Sequence, residues 1–427
     1  MDIHVVRAGE TVSSVAARYG VPAGILAGVN GVAPDAPLAV GQTLVVRHPR
    51  ELHTVASGES VYSIALRYGL SVRTLYQNNP ALGGRSALYP GQTLVIAYDD
   101  TPTRTLAVNA YSYPFIRGGL LDAALPYLTY LTPFTYGINA DGTLLPFADE
   151  WLLAAAGQYR TAALMHLSTL TEEGRFDNAR STLILEDADA QDALVQSILE
   201  TVQARHYFGL DVDFEYVLPE QREAYAAFIT RLREALNPLG CPVIVALAPK
   251  TSAVQRGLLY EAHDYALLGA AANAVFLMTY EWGYTYGPPM AVAPLGQVRA
   301  VLDYALTAVA PEKIFMGIPL YGYDWPLPFV SGETRAESLS PVQAVERALR
   351  HDIAIQYDAA AQAPYYHYTD RGGRKHTVWF EDARSIEAKL RLADEYHLQG
   401  VGYWNLTRPF PQNWAVLASL FDIETLL

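Results

Sequence analysis

A single cysteine, Cys241, stands in a chain of 427 residues, so no intrachain disulfide is possible and packing has to hold the fold. It borders the apolar run Pro242 to Ala246, which reads as a buried core thiol. Long hydrophobic runs are missing as well: none approaches the ~18–20 apolar residues of a membrane span. The opening Met1-Asp2-Ile3-His4-Val5-Val6-Arg7 shows neither a basic leader with an apolar stretch nor a small-residue cleavage site, so no signal peptide is expected. Positive charge is scarce. With 30 Lys and Arg against 44 Asp and Glu, the net charge of -14 argues against nucleic acid as a partner and against charge-driven binding to anionic membranes. A neutral or sugar-like ligand fits better. His166, His367 and His376 lack ligand spacing with other His or Cys, so packed or surface histidines are expected, with no metal and no cofactor. Nothing in the sequence calls for an obligate protein partner.

What the chain has in quantity is apolar and aromatic surface, 51% hydrophobic and 11% aromatic, ample for a large core and more than one domain. The first 98 residues contain an internal repeat. His4 to Gly20 recurs as His53 to Gly69, sharing Gly-Glu followed by Thr or Ser. Val40-Gly41-Gln42-Thr43-Leu44-Val45 is answered by Pro90-Gly91-Gln92-Thr93-Leu94-Val95. Each unit reads as strand, helix, helix, strand, with the second helix ending near Asn30 or Asn79. The pair resembles tandem LysM domains, a family that binds N-acetylglucosamine-containing glycans. The resemblance implies LysM domains at 1–48 and 51–98. Asn30 and Asn79 read equally as sugar contacts and as helix C-caps. Pro102 marks a short polar linker over Asp99 to Thr103, which predicts modules sitting close to the next domain.

From about residue 104, apolar strand-like runs alternate with helical patterns. Candidate strands begin at Leu106, Tyr130, Ala162, Gly209, Val243, Ala274, Ile314 and Gly400. Strands alternating with helices over this length predict an α/β fold, a (β/α)8 TIM barrel over 104–427. The last gap is too long for one helix, so a small α+β insertion is placed at about 324–378.

The most informative stretch is Phe208-Gly209-Leu210-Asp211-Val212-Asp213-Phe214-Glu215, where acids and apolar residues alternate with period two. On a strand Asp211, Asp213 and Glu215 share one face, and Leu210, Val212 and Phe214 the other. Three carboxylates on one face repel one another, a cost that suits a site needing a raised pKa. A calcium loop would use glycine and polar spacers rather than Val212 and Phe214.

The stretch is similar to the Asp-x-x-Asp-x-Asp-x-Glu signature of glycoside hydrolase family 18, except that Phe208 stands where the first Asp belongs. The resemblance implies that Glu215 is the acid/base, that Asp213 orients the sugar's 2-acetamido group as internal nucleophile, and that Asp211 holds Asp213. In Met278-Thr279-Tyr280-Glu281, similar to the family's Met-x-Tyr-Asp, Tyr280 would hold the acetamido oxygen and Glu281 replaces the usual Asp. Trp404 matches the tryptophan beneath the reacting sugar, and Tyr136 is a candidate for the aromatic ending strand two, with core packing the other reading. The expected activity is a retaining, substrate-assisted N-acetylglucosaminidase of peptidoglycan, made in the cytoplasm and deposited around a spore. The alternatives are a chitinase with the same catalytic residues, or a non-catalytic chitinase-like coat protein.

Overall fold

A computed structural model describes residues 1–171 and 176–427. The two N-terminal repeats fold alike. In the first, strands Asp2–Val5 and Thr43–Val46 pair antiparallel around helices Val12–Tyr19 and Ala23–Asn30. In the second, strands Pro49–Thr54 and Thr93–Tyr98 enclose helices Val61–Arg67 and Val72–Asn78. The repeated residues do local work. Thr11 and Ser60 cap their helices through reciprocal bonds with Ser14 and Ser63. Glu10 accepts the Arg7 N–H at 2.8 Å and lies 2.7 Å from His4 Nε2; Glu59 repeats this with Ala56 and His53.

Asn30 and Asn79, expected as sugar contacts or helix C-caps, are both buried with their amides bonded inside the modules. Asn30 Nδ2 donates to the carbonyls of Leu26 and Val45, and its Oδ1 accepts from Val45 N–H at 2.7 Å. Asn79 makes the same bonds to Leu75 and Val95. Each amide is spent tying the second helix to the closing strand, because a buried polar side chain must find partners inside. The second helix of the first unit is capped by Gly31, at φ 63, rather than Asn30, whereas that of the second unit has Asn79 as its C-cap.

The remainder is a closed barrel of parallel strands β1 (Arg104–Ser112), β2 (Tyr130–Pro133), β3 (Ala162–Ser168), β4 (Gly209–Asp213), β5 (Val243–Leu247), β6 (Ala274–Leu277), β7 (Ile314–Pro319) and β8 (Gly400–Trp404). Strand β8 closes onto β1 in the register Gly400 to Ala107 through Tyr403 to Ala110. The absence of a side chain matters at Gly402, where a Cβ would lie 2.4 Å from the Phe276 ring. Between β7 and β8 stands a five-stranded antiparallel sheet running from Gly322 to Trp379, with helix Pro341–Arg350 against it.

The N-terminal modules are docked on this body. Val29, Val45, Val95 and Tyr98 belong to the same continuous apolar core as the barrel. Gln412, in the last long helix Pro411–Leu420, donates to Thr43 O at 2.6 Å and to Asn30 Oδ1 at 2.9 Å. Ile355 N–H of the insertion donates to Val40 O at 2.8 Å, and Ala39 joins the insertion's own core. The second module reaches the loop before β2, where Arg73 and Gln77 donate to the carbonyls of Leu128 and Pro126. Inside the predicted linker, Asp100 pairs with Arg47 at 2.7 Å, both nearly buried.

Candidate active site

Strand β4 carries Asp211 and Asp213 at its C-terminal end, and Glu215 lies just beyond. Tyr216, at φ 58, turns the chain away directly after Glu215. On the other face, Phe214 stacks with Tyr225 and Phe228 of the succeeding helix, which fixes the strand's orientation. His263 clamps the same end: Ala248 N–H donates to Nδ1, leaving Nε2–H to donate to Phe214 O at 3.0 Å.

Asp211 is fully buried and accepts the Tyr111 hydroxyl on Oδ2 at 2.7 Å. Burial pushes its carboxyl up to about 7, against the opposing effect of that hydrogen bond. Asp213 is raised well above the usual carboxylate range by burial, then by the charges of Glu215 and Asp211. Half-buried Glu215 is raised by burial and then by Glu281. Three neighbouring carboxylates in a poorly solvated site cannot all ionise at neutral pH, so protons stay within the trio and a carboxylic acid is available there.

Asp213 and Glu215 line a cavity of about 570 Å³ together with Met278, Tyr280, Glu281 and Trp404. Tyr280 is buried, and its hydroxyl feels the charges of Asp213 and Glu215. Glu281, at φ 67, accepts hydrogen bonds from Tyr321 and Tyr323. The longer arm relative to Asp is thus used to reach the rim of the insertion. Trp404 packs edge-on against Phe134, with ring centres 4.9 Å apart.

Tyr136 is not in this cavity, a correction to its expected role. Its hydroxyl donates to Asp149 at 2.7 Å and its ring packs on Phe147, in a separate recess. The expected second strand ran on to Tyr136, but β2 ends at Pro133, and Phe134 is the aromatic that enters. Sequence reasoning also missed His166. Its Nδ1 lies 2.6 Å from Thr135 Oγ1 and its Nε2 3.8 Å from Asp213 Oδ2. Burial lowers the ring's pKa to about 3, so it is neutral and the contact is not an ion pair. The available signal was its register on β3, opposite Asp211. Tyr111 was equally readable as the last aromatic of a predicted strand. His367 and His376 lie in the insertion, bonded to Thr377 and Asp324. Phe208 packs on Tyr130 at the start of β4, away from the acids.

Comparison with known proteins agrees with this geometry. The family description "Glycosyl hydrolases family 18" matches residues 171–408, and "LysM domain" matches 4–47 and 53–97. The chain is 40% identical over 433 residues to the cortical fragment-lytic enzyme of Bacillus subtilis, covering 99% of each. It superposes on the crystal structure of the Bacillus cereus spore cortex-lytic enzyme SleL with a TM-score of 0.84 and 38% identity, covering 99% of this chain and 98% of that one. A chitinase from Chromobacterium violaceum superposes with a TM-score of 0.69 and 26% identity, over 74% of this chain and 98% of that one. With a family match over more than half its length and full-length relatives at this identity, the chain, a glycoside hydrolase bearing two LysM domains, belongs to glycosyl hydrolase family 18.

Proposed function

We propose that the protein is an N-acetylglucosaminidase of spore cortex peptidoglycan that works with retention through the substrate's own 2-acetamido group. The carrying observation is the placement of the acids: Asp213 and Glu215 are two residues apart along one chain segment, both on the cavity wall, so they approach a sugar from the same side. A carboxylate nucleophile would have to stand opposite the acid, and the remaining acid among the described lining residues, Glu281, is held by two tyrosines.

In this reading Glu215 protonates the leaving oxygen and then takes a proton from water. Asp213 orients the acetamido group and balances the charge of the oxazolinium it forms, with Asp211 and the Tyr111 hydroxyl behind it. Tyr280 holds the acetamido oxygen, and Trp404 and Met278 form the apolar floor. The LysM domains, assigned to 1–48 and 51–98 beside a catalytic domain at 104–427, bind the glycan polymer, and no cofactor takes part. Cortex as the substrate and place of action is supported by the names of the full-length relatives. Digesting spore cortex, vegetative peptidoglycan and chitin oligomers in parallel, with mass spectrometry of the products, tests it. Cortex fragments ending in reducing N-acetylglucosamine are expected; products from chitin alone would reject it.

A further inference from the structure

Strands β4 and β5 pair from Leu210 opposite Val243 to Val212 opposite Val245, and there their ladder stops. Its pattern is set by Leu210 N–H donating to Pro242 O at 2.9 Å, so the rungs that would follow include one from Ala248 N–H to Phe214 O. That rung is not made directly. The imidazole of His263 stands in it: Ala248 N–H donates to Nδ1 at 2.8 Å, and Nε2–H donates to Phe214 O at 3.0 Å. The two bonds fix one tautomer, and burial holds the ring's pKa down to about 4, so the neutral ring keeps one acceptor and one donor. A ring in place of a direct bond spreads the two strands at their C-terminal ends while still tying them together. Ala246 and Pro249, on either side of that gap, line the cavity with Glu215.

The ring is itself held. His263 is 1% exposed, its carbonyl accepts Lys250 Nζ at 3.1 Å, and its N–H donates at 3.1 Å to the carbonyl of Tyr260, which lines the same cavity. What it fixes is the segment that carries Glu215, beyond the end of β4 at Asp213. Phe214 C=O and Glu215 N–H belong to one planar peptide unit, so a bond to that oxygen sets the plane from which Glu215 leaves the strand.

We propose that His263 is a positioning residue for Glu215: it replaces a rung between β4 and β5, and so aims the acid at the leaving oxygen while keeping the cleft open beside it. The inference rests on the reading of Glu215 as the acid.

Two substrates separate aiming from folding. One is an alternating peptidoglycan tetrasaccharide, whose leaving sugar needs a proton; the other is the disaccharide ending in N-acetylglucosamine carried on 2,4-dinitrophenol, which departs without one. His263→Leu is expected to lose about tenfold to a hundredfold in kcat on the tetrasaccharide with KM little changed, and no more than about threefold on the dinitrophenyl glycoside. His263→Gln should recover most of that loss, because its amide carries an acceptor and a donor spaced like the two ring nitrogens. If His263→Leu does not fold, His263→Asn carries the same expectation, since its amide can meet Ala248 N–H but is too short to reach Phe214 O. Unchanged rates, equal losses on both substrates, or a Gln variant no better than Leu overturn the positioning role. Glu215→Gln is measured alongside. If it discriminates between the substrates and the His263 variants do not, the positioning role falls alone; if it loses both alike, the reading of Glu215 as the acid falls and the positioning role with it.

Discussion

The Tyr111 hydroxyl, at the end of β1, donates to Oδ2 of Asp211 across 2.7 Å, while Oδ1 of Asp211 has no hydrogen-bond partner among the described residues. A donor to a carboxylate favours its ionised form, so this bond opposes the burial that raises Asp211. Removing it in Tyr111→Phe is expected to raise the carboxyl further. The limb of the kcat/KM profile that belongs to the acid trio should then move to higher pH, by about one unit. A limb that stays in place or moves down would show that Tyr111 does not tune the trio.

Stability should respond to the same burial. Asp211 titrates near 7 in the folded chain and near 3.8 when unfolded, so folding takes up a proton between those values. The native chain is therefore most favoured below pH 4 as far as this group is concerned, and loses that contribution as pH rises toward 7. Asp211→Asn removes the ionisable group and is expected to raise Tm by about 2–4 °C at pH 7, with little change at pH 4. Calorimetry at the two pH values checks it; a variant less stable at pH 7 than at pH 4, relative to the native chain, would contradict it.

In the proposed mechanism Glu215→Gln removes the transferable proton and little else. Hydrolysis of short oligosaccharides should fall by about 10²–10⁴ while affinity for them is retained. The native protein should be inhibited by a thiazoline analogue of N-acetylglucosamine. Trapping a glycosyl ester on Asp213 or another carboxylate would rule out the acetamido nucleophile.

A chain cut to begin near Thr103 should lose binding and activity on insoluble sacculi, because tethered binding modules raise local concentration. The docking of the modules on the barrel adds a further loss. Val29, Val45, Val95 and Tyr98 leave a continuous core, and Leu128, Pro126 and Gln412 lose buried partners. The truncated chain is therefore expected to melt several degrees lower. Thermal unfolding of both forms measures this; unchanged Tm would mean that the modules rest on the barrel without supporting it.

The parts of the fold legible in the sequence were those set by local periodicity. Alternation placed Asp211 and Asp213 on one strand face, repetition exposed the paired modules, and an over-long gap located the insertion. Tyr136 was misplaced because the second strand was expected to end on it, whereas β2 stops at Pro133. Asn30 and Asn79 carry no mark of burial in a one-dimensional reading; their amides are consumed by strands 15 and 16 residues away. His166 gains meaning only from a residue brought near by closure of the barrel, Asp213.

The two modules share a plan but not a neighbourhood. Ala39 is packed into the insertion's core, whereas its counterpart in the second copy, Tyr89, is 72% exposed. A Cβ on Gly41 would fall 2.0 Å from the Ile355 carbonyl, while one on Gly91 would meet open space. Order along the chain is consequently part of the architecture: if the copies traded places, a phenol ring would be driven into the space an alanine methyl fills, and the joint between module and insertion would not close.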